Sequence, residues 1–263
     1  MSCKIINLEE KNDVDSFRHY WNDEKVEKSK VFDVMNIGFN LIEKSSKYNN
    51  LLKQLKNCCY KSGIFLKNDN ILSIGSGVCW IESQWLIGEN FIKLSCIDYS
   101  KHRIHKIAPF VFKNYCLEKK NINLIHGHFF NFINYTNEKY HIVLLCQAFH
   151  HFNNPIRLLK EIKNKLMKNG KIIIVGEPYH SNISYYFSSL KHFIKYCLNW
   201  NGYKKNRNLL PSWTDLFPRD LIKGDIHWTN KEYLYFFKKS GLSILNWQIH
   251  KKDSYQSFVL NND

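Results

Sequence analysis

The sequence predicts an α/β protein. The expected core is a seven-stranded, mostly parallel, doubly wound sheet with an antiparallel C-terminal hairpin strand. A helical N-terminal cap and an inserted lid of aromatic and basic residues complete it. Three observations predict this. Between residues 70 and 178, short apolar runs alternate with helix-like runs, the signature of parallel strands joined by crossover helices. The first apolar run closes on Gly75-Ser76-Gly77, a strand that turns on glycines into a helix. From residue 230 on, one helical run precedes two apolar runs with no helix between them, which suits a hairpin on a sheet edge.

Each element has its own signals. Residues 1–69 are expected to form the helical cap, because no strand alternation is visible there. Asp13 and Asp15 suit a helix N-terminus, with Phe17, Tyr20 and Trp21 on one face, and Leu51, Leu52 and Leu55 mark a second helix. That aromatic face either packs or closes over a cofactor. Strands are expected at 70–74, 92–97, 122–126, 141–146 and 171–175. Helices are expected at about 78–86 and 101–118, and from Ile156 through Leu166 to a stop at Asn169-Gly170. The lid spans about 179–229. Tyr185, Tyr186, Phe187, Phe193, Tyr196, Trp200, Tyr203 and Trp213 alternate there with Lys191, Lys195, Lys204, Lys205 and Arg207. Such aromatics stack on nucleobases or form a small subcore under a solvated basic face. A helix at 231–240, stopped by Gly241, and strands at 242–247 and 257–260 finish the second domain, 70–263.

Composition narrows the function classes. With 44% hydrophobic residues over 263 positions, the chain can bury a large core, which excludes wholesale disorder. A formal net charge of +15 favours anionic partners, although the lysines are spread out rather than blocked. None of the eight cysteines forms a C-x-x-C pair or has zinc-ligand spacing, so no metal is expected. Thiols inside apolar runs fit a reducing cytoplasm. The N-terminus has no signal-peptide pattern, and no run of 18 apolar residues is present.

The glycine turn carries the cofactor argument. Asp98 follows Gly75 by 23 residues, at the end of the next apolar run, where an acid can accept both hydroxyls of a ribose. A phosphate loop would need Lys-Ser/Thr after the glycines, but Cys79-Trp80-Ile81-Glu82 stands there. A dinucleotide fold would need a third glycine where Trp80 stands. S-adenosylmethionine has no phosphates and needs neither.

At this point the sequence resembles the class I S-adenosylmethionine-dependent methyltransferases, of the small-molecule type. The segment 71–79 resembles their glycine-rich motif, and Cys96-Ile97-Asp98-Tyr99-Ser100 their ribose-binding strand end. Gly127-His128-Phe129 is similar to the stretch bordering adenine, and Cys146-Gln147-Ala148-Phe149-His150-His151-Phe152 to the exit of the fourth strand. Leu166 to Ile172 is similar to the helix-to-strand-five motif, and Asp225-Ile226-His227-Trp228-Thr229 with Glu232-Tyr233 to the re-entry after the lid. The resemblance implies cofactor contacts from Gly75, Ser76, Gly77, Asp98, Tyr99, His128, Phe129, Gln147 and Ala148, with Tyr20 of the cap above them. Ser73, Cys79, His128 and His141 depart from the family, which prefers acid, glycine, acid and acid at those positions.

Methyl transfer from a sulfonium needs an aligned nucleophile, and a base only when that nucleophile carries a proton. His150, His151, Glu177, Tyr179 and, from the lid junction, His227 are the candidate catalytic residues, with His180 beside them. His151 has a structural alternative as a cap for the turn at Asn153-Asn154-Pro155. The fourth-strand exit lacks the D/N-P-P-Y of enzymes that methylate base amino groups. The expected activity is O-methylation of a small anionic acceptor, phosphorylated or sugar-derived, yielding S-adenosylhomocysteine. The alternative is a nucleic-acid-binding protein or methyltransferase that uses the basic aromatic lid.

Overall fold

The computed structural model describes residues 3–8, 45–179, 219–220, 225–226 and 228–262. In chain order the strands are β1 (Lys4–Asn7), β2 (Lys67–Ile74), β3 (Asn90–Asp98), β4 (Ile122–His126), β5 (Tyr140–Cys146), β6 (Leu166–Pro178), β7 (Arg219–Asp220), β8 (Asp225–Ile226), β9 (Ser243–His250) and β10 (Tyr255–Asn261). The helices are α1 (Ser46–Lys61), α2 (Trp80–Leu86), α3 (Ala108–Asn114), α4 (Phe129–Tyr135), α5 (Pro155–Lys165) and α6 (Asn230–Lys239).

One eight-stranded sheet runs in the order β1-β4-β3-β2-β5-β6-β10-β9. Neighbours from β1 to β6 pair in parallel, and β10 lies antiparallel between β6 and β9. The seven expected strands are all present, in a doubly wound order that reverses direction at β2 and β5. The strand runs are apolar throughout because both faces are covered. Ile71, Cys96, Leu144 and Ile173 point into the layer with α1, α2 and α3. Leu72, Ile97, Val143 and Ile172 point into the layer with α4, α5 and α6.

Several local expectations change. Residues 4–7 form a strand on the edge of β4, where an all-helical cap was expected. Four residues are too few to display a periodicity, and the pairing comes from a distant strand. The helix expected over 101–118 is a π-helical turn, Arg103–Ile107, followed by α3. Pro109 lacks the N–H that would continue the i→i−4 ladder. Helix α5 ends at Lys165 and β6 begins at once, so Asn169 takes a left-handed turn (φ 64°) inside the strand segment. Helix α4 was not foreseen. It is a two-turn helix capped by the His128 side chain. Helix α6 opens with a reciprocal capping box between Thr229 and Glu232, which fixes where the chain re-enters the fold. Among the described residues, no helix is long and apolar enough to cross a membrane.

Candidate active site

The carboxyl ends of β2, β3, β4, β5 and β6 lie side by side, and every described candidate residue sits on one of them. The glycine turn after β2 comes first. Gly75 and Gly77 have φ of 69° and 55°. A Cβ on Gly75 would lie 2.6 Å from the Ala148 Cβ, so glycine is what lets the exits of β2 and β5 touch. Gly75 and Ser76 donate their N–H groups to the Ile97 carbonyl (2.8 and 3.1 Å), which ties the turn to β3. Cys79, where the family prefers glycine, is also left-handed (φ 59°), a conformation costing roughly 1–2 kcal/mol for a side-chain-bearing residue.

Asp98 closes the ribose side. Its Oδ2 accepts from the Gly77 N–H and its Oδ1 from the Ser100 N–H, both at 2.8 Å. A carboxylate has about four acceptor positions, of which these bonds use two. The Tyr99 ring stands 5.0 Å from the His128 ring across the next gap. His128 Nδ1 accepts from the Phe130 N–H (3.1 Å), so Nε2 carries the proton of the neutral ring. Phe129 is 3% exposed and packs in the core among aromatic neighbours, so its ring faces away from the cradle. Gln147 stands at a left-handed position (φ 51°) and donates its N–H to the Val175 carbonyl.

The exits of β5 and β6 hold the densest polar cluster. Glu177 is fully buried. Its Oε1 accepts from the Phe149 N–H (3.1 Å). Its Oε2 accepts from the His150 N–H (3.1 Å), from His150 Nδ1 (3.0 Å) and from the Tyr233 hydroxyl (3.1 Å). Burial and the Glu177 charge push the Tyr233 phenol well above its usual range, so it is a fixed donor. The ionised Glu177 accepts, so Nδ1 of His150 donates to it. The His151 ring lies 4.2 Å from that of His150. Asn154 caps the following helix, its side chain accepting from the Arg157 N–H (3.0 Å). Tyr179 donates its N–H to Ser254 at the end of β6. Tyr20, His180, His227 and the lid aromatics lie outside the described residues.

Two partners escaped the sequence reading. Tyr233 completes the Glu177 cluster from α6, 56 positions away. Glu82 reaches back from α2 to the Ser73 hydroxyl at 2.5 Å. The visible signal for the second was an acid missing from the strand end and present nine residues later on an inward helix face.

A glycine turn, an acid bonded to that turn and a buried His–Glu pair lie on neighbouring strand ends of a doubly wound α/β sheet. A family model described as a methyltransferase domain matches residues 47–246, and the chain belongs to that family, the class I S-adenosylmethionine-dependent methyltransferases. No curated protein matches the sequence significantly. Among solved structures, mitomycin 7-O-methyltransferase is similar with a TM-score of 0.61 at 12% identity, over 95% of this chain and 61% of that one. The phosphoethanolamine N-methyltransferase 2 of Haemonchus contortus, in complex with S-adenosylmethionine, is similar with 0.58 at 16% identity, over 91% and 47%. Magnesium protoporphyrin IX methyltransferase from Synechocystis PCC 6803, with bound SAH, is similar with 0.54 at 12% identity, over 93% and 96%. At these identities the likeness is one of fold, and the chain spans less than two thirds of the first two structures' length. The cradle fits the family's cofactor: the turn is glycine where β5 crowds it, and each Asp98 oxygen accepts one backbone N–H among the described residues.

Proposed function

We propose that the chain transfers a methyl group from S-adenosylmethionine to a hydroxyl oxygen of a small anionic acceptor, phosphorylated or sugar-derived. The observation that carries this reading is the buried Glu177–His150 pair at the exits of β5 and β6. An ionised oxygen needs no base, whereas a hydroxyl does. When bound, the cofactor supplies an electrophilic methyl on sulfur. The Gly75–Gly77 turn and Asp98 hold its nucleoside part. Tyr99 and His128 flank the adenine side, and Gln147 and Ala148 shape the floor. Glu177 holds His150 with Nδ1–H inward, and Nε2 takes the acceptor's hydroxyl proton. His151, Tyr179 and His227 are the rim groups that orient the acceptor, and Tyr20 closes from the cap. The net charge of +15 favours an anionic acceptor.

Two measurements test it. Calorimetry should show S-adenosylhomocysteine binding that weakens at least tenfold in Asp98→Ala, since a charge-assisted hydrogen bond contributes about 1.5–3 kcal/mol. A change within twofold would refute the ribose assignment. Label transfer to a panel of phosphorylated and sugar hydroxyls should fall about 10²–10⁴-fold in His150→Gln. An unchanged rate in that variant would refute the base.

A further inference from the structure

Ser73 and Glu82 straddle the glycine turn, one on the strand before it and one on the helix after it. Both side chains are buried, Ser73 completely and Glu82 to 2% exposure. The Ser73 hydroxyl lies 2.5 Å from Glu82 Oε1. Burial pushes the Glu82 carboxyl up to about 7, with the Ser73 hydroxyl and the residue's own N–H opposing and the Asp98 carboxylate adding. Among the described residues, none of these influences is a cation, and the other titratable groups acting on it or acted on by it are thiols: Cys79 at the N-cap of α2, Cys96 on β3 and Cys146 on β5. Burial raises all three, so they stay neutral, and Lys47 of α1 acts on Cys146. Arg103 stands on the far side of the turn, its Nη1 3.6 Å from where a Gly77 Cβ would be.

A buried carboxyl without a counter-charge is costly to ionise and stays protonated to higher pH, and a cation placed beside it removes that cost. Glu82 is bonded to Ser73 just before the turn, Asp98 accepts from the Gly77 N–H within it, and the Asp98 charge acts on Glu82, so two acids flank the turn. The proposed cofactor carries one hydroxyl pair for the first acid and one α-ammonium. We propose that Glu82, steadied by Ser73, is the anionic partner of the cofactor's methionine ammonium, so that the helix after the turn supplies a charge the preceding strand lacks. This rests on the reading of the cradle as the S-adenosylmethionine site. Only the ionised carboxylate does this work, so cofactor affinity depends on the Glu82 proton. The ionised fraction then falls as pH drops through about 7, by about tenfold between pH 8 and pH 6. The ligand's own amine gains protons over the same range, so its titration acts in the opposite direction.

The test is calorimetry on the purified full chain with two probes, S-adenosylhomocysteine and 5′-methylthioadenosine, which lacks the amino-acid part. For the wild type, affinity for the first should fall about fourfold from pH 8 to pH 6, the tenfold loss of ionised Glu82 being partly offset by protonation of the ligand's amine, and affinity for the second should stay constant. For Glu82→Gln at pH 8, affinity for the first should fall at least tenfold, its fall toward low pH should be lost, and the second should bind within twofold of wild type. That last value also reports that the variant's cradle is folded. Equal losses for both probes in the variant, or a wild-type affinity for S-adenosylhomocysteine that ignores pH, would overturn the proposal. A wild type that binds neither probe would overturn the cofactor reading itself, and this proposal with it.

Discussion

Replacing Glu82 by Gln should stabilise the ligand-free protein, and only above a defined pH. In the unfolded chain this carboxyl titrates near 4.5, and in the fold near 7. Between those values the folded state holds the extra proton, so stability falls as pH rises through the window. The shift is about 2.5 units at about 1.4 kcal/mol per unit, or about 3 kcal/mol in full. The group is buried, so solvent screening takes little away. Under about 1 kcal/mol of this loss has accrued at pH 5, and nearly all of it by pH 8. Gln keeps the acceptor for Ser73 and never ionises. At pH 8 the variant should therefore melt roughly 6–12 °C above wild type, taking about 2–4 °C per kcal/mol for a chain of this size. At pH 5 the gap should shrink to a few degrees. Differential scanning calorimetry of both proteins in ligand-free buffers measures it, and other titrating groups cancel in the difference. A gap that does not change between pH 5 and pH 8 would refute the buried-acid argument.

Gly75→Ala should cost about 2–5 kcal/mol, combining an overpacked contact with Ala148 and a left-handed backbone position. Adding Ala148→Gly should recover the contact part only, and urea melts of the single and double variants separate the two. Glu177→Gln sets an amide N–H₂ against backbone or side-chain donors whichever way it turns, and should cost about 2–4 kcal/mol in the same assay. Tyr233→Phe removes one of the four bonds and should cost about 1–2 kcal/mol, leaving the pH dependence of methyl transfer unchanged. A Glu177→Gln protein as stable as wild type would mean the cluster does not hold the β5 and β6 exits together.

What was legible in the sequence is what depends on neighbours along the chain. The parallel strands show as apolar runs because burial on both faces admits little else. Gly75 and Gly77 show because a left-handed turn against Ala148 leaves no room for Cβ. Asp98 shows because it ends a strand beside that turn. Strand β1 was missed because its pairing with β4 joins residues far apart in sequence. Phe129 was placed in the cradle because a motif fixes position but not direction. Its side chain goes to the core, while His128 beside it caps α4. The Glu177 pairing with His150 was visible only as two residues on one rim, and Tyr233 could not be joined to them without the packing of α6 on the sheet.

The positions that depart from the family pattern follow one physical logic. Ser73 lacks the acid, and Glu82 supplies a carboxylate to the same spot from the next helix. His128 lacks the acid too, and its Nδ1 serves the Phe130 N–H as a helix cap. Cys79 lacks the freedom of glycine, yet keeps the left-handed turn, its thiol buried against Cys96. At Cys79 the left-handed turn is kept, and at Ser73 the carboxylate is supplied from the next helix. Backbone shape sets where a nucleoside can lie, and that is intolerant of change because strand ends crowd it. Charge can be delivered from any element that reaches the same point. A motif read position by position therefore under-reports the charges of this site, and Glu82 is the residue at which the difference becomes measurable.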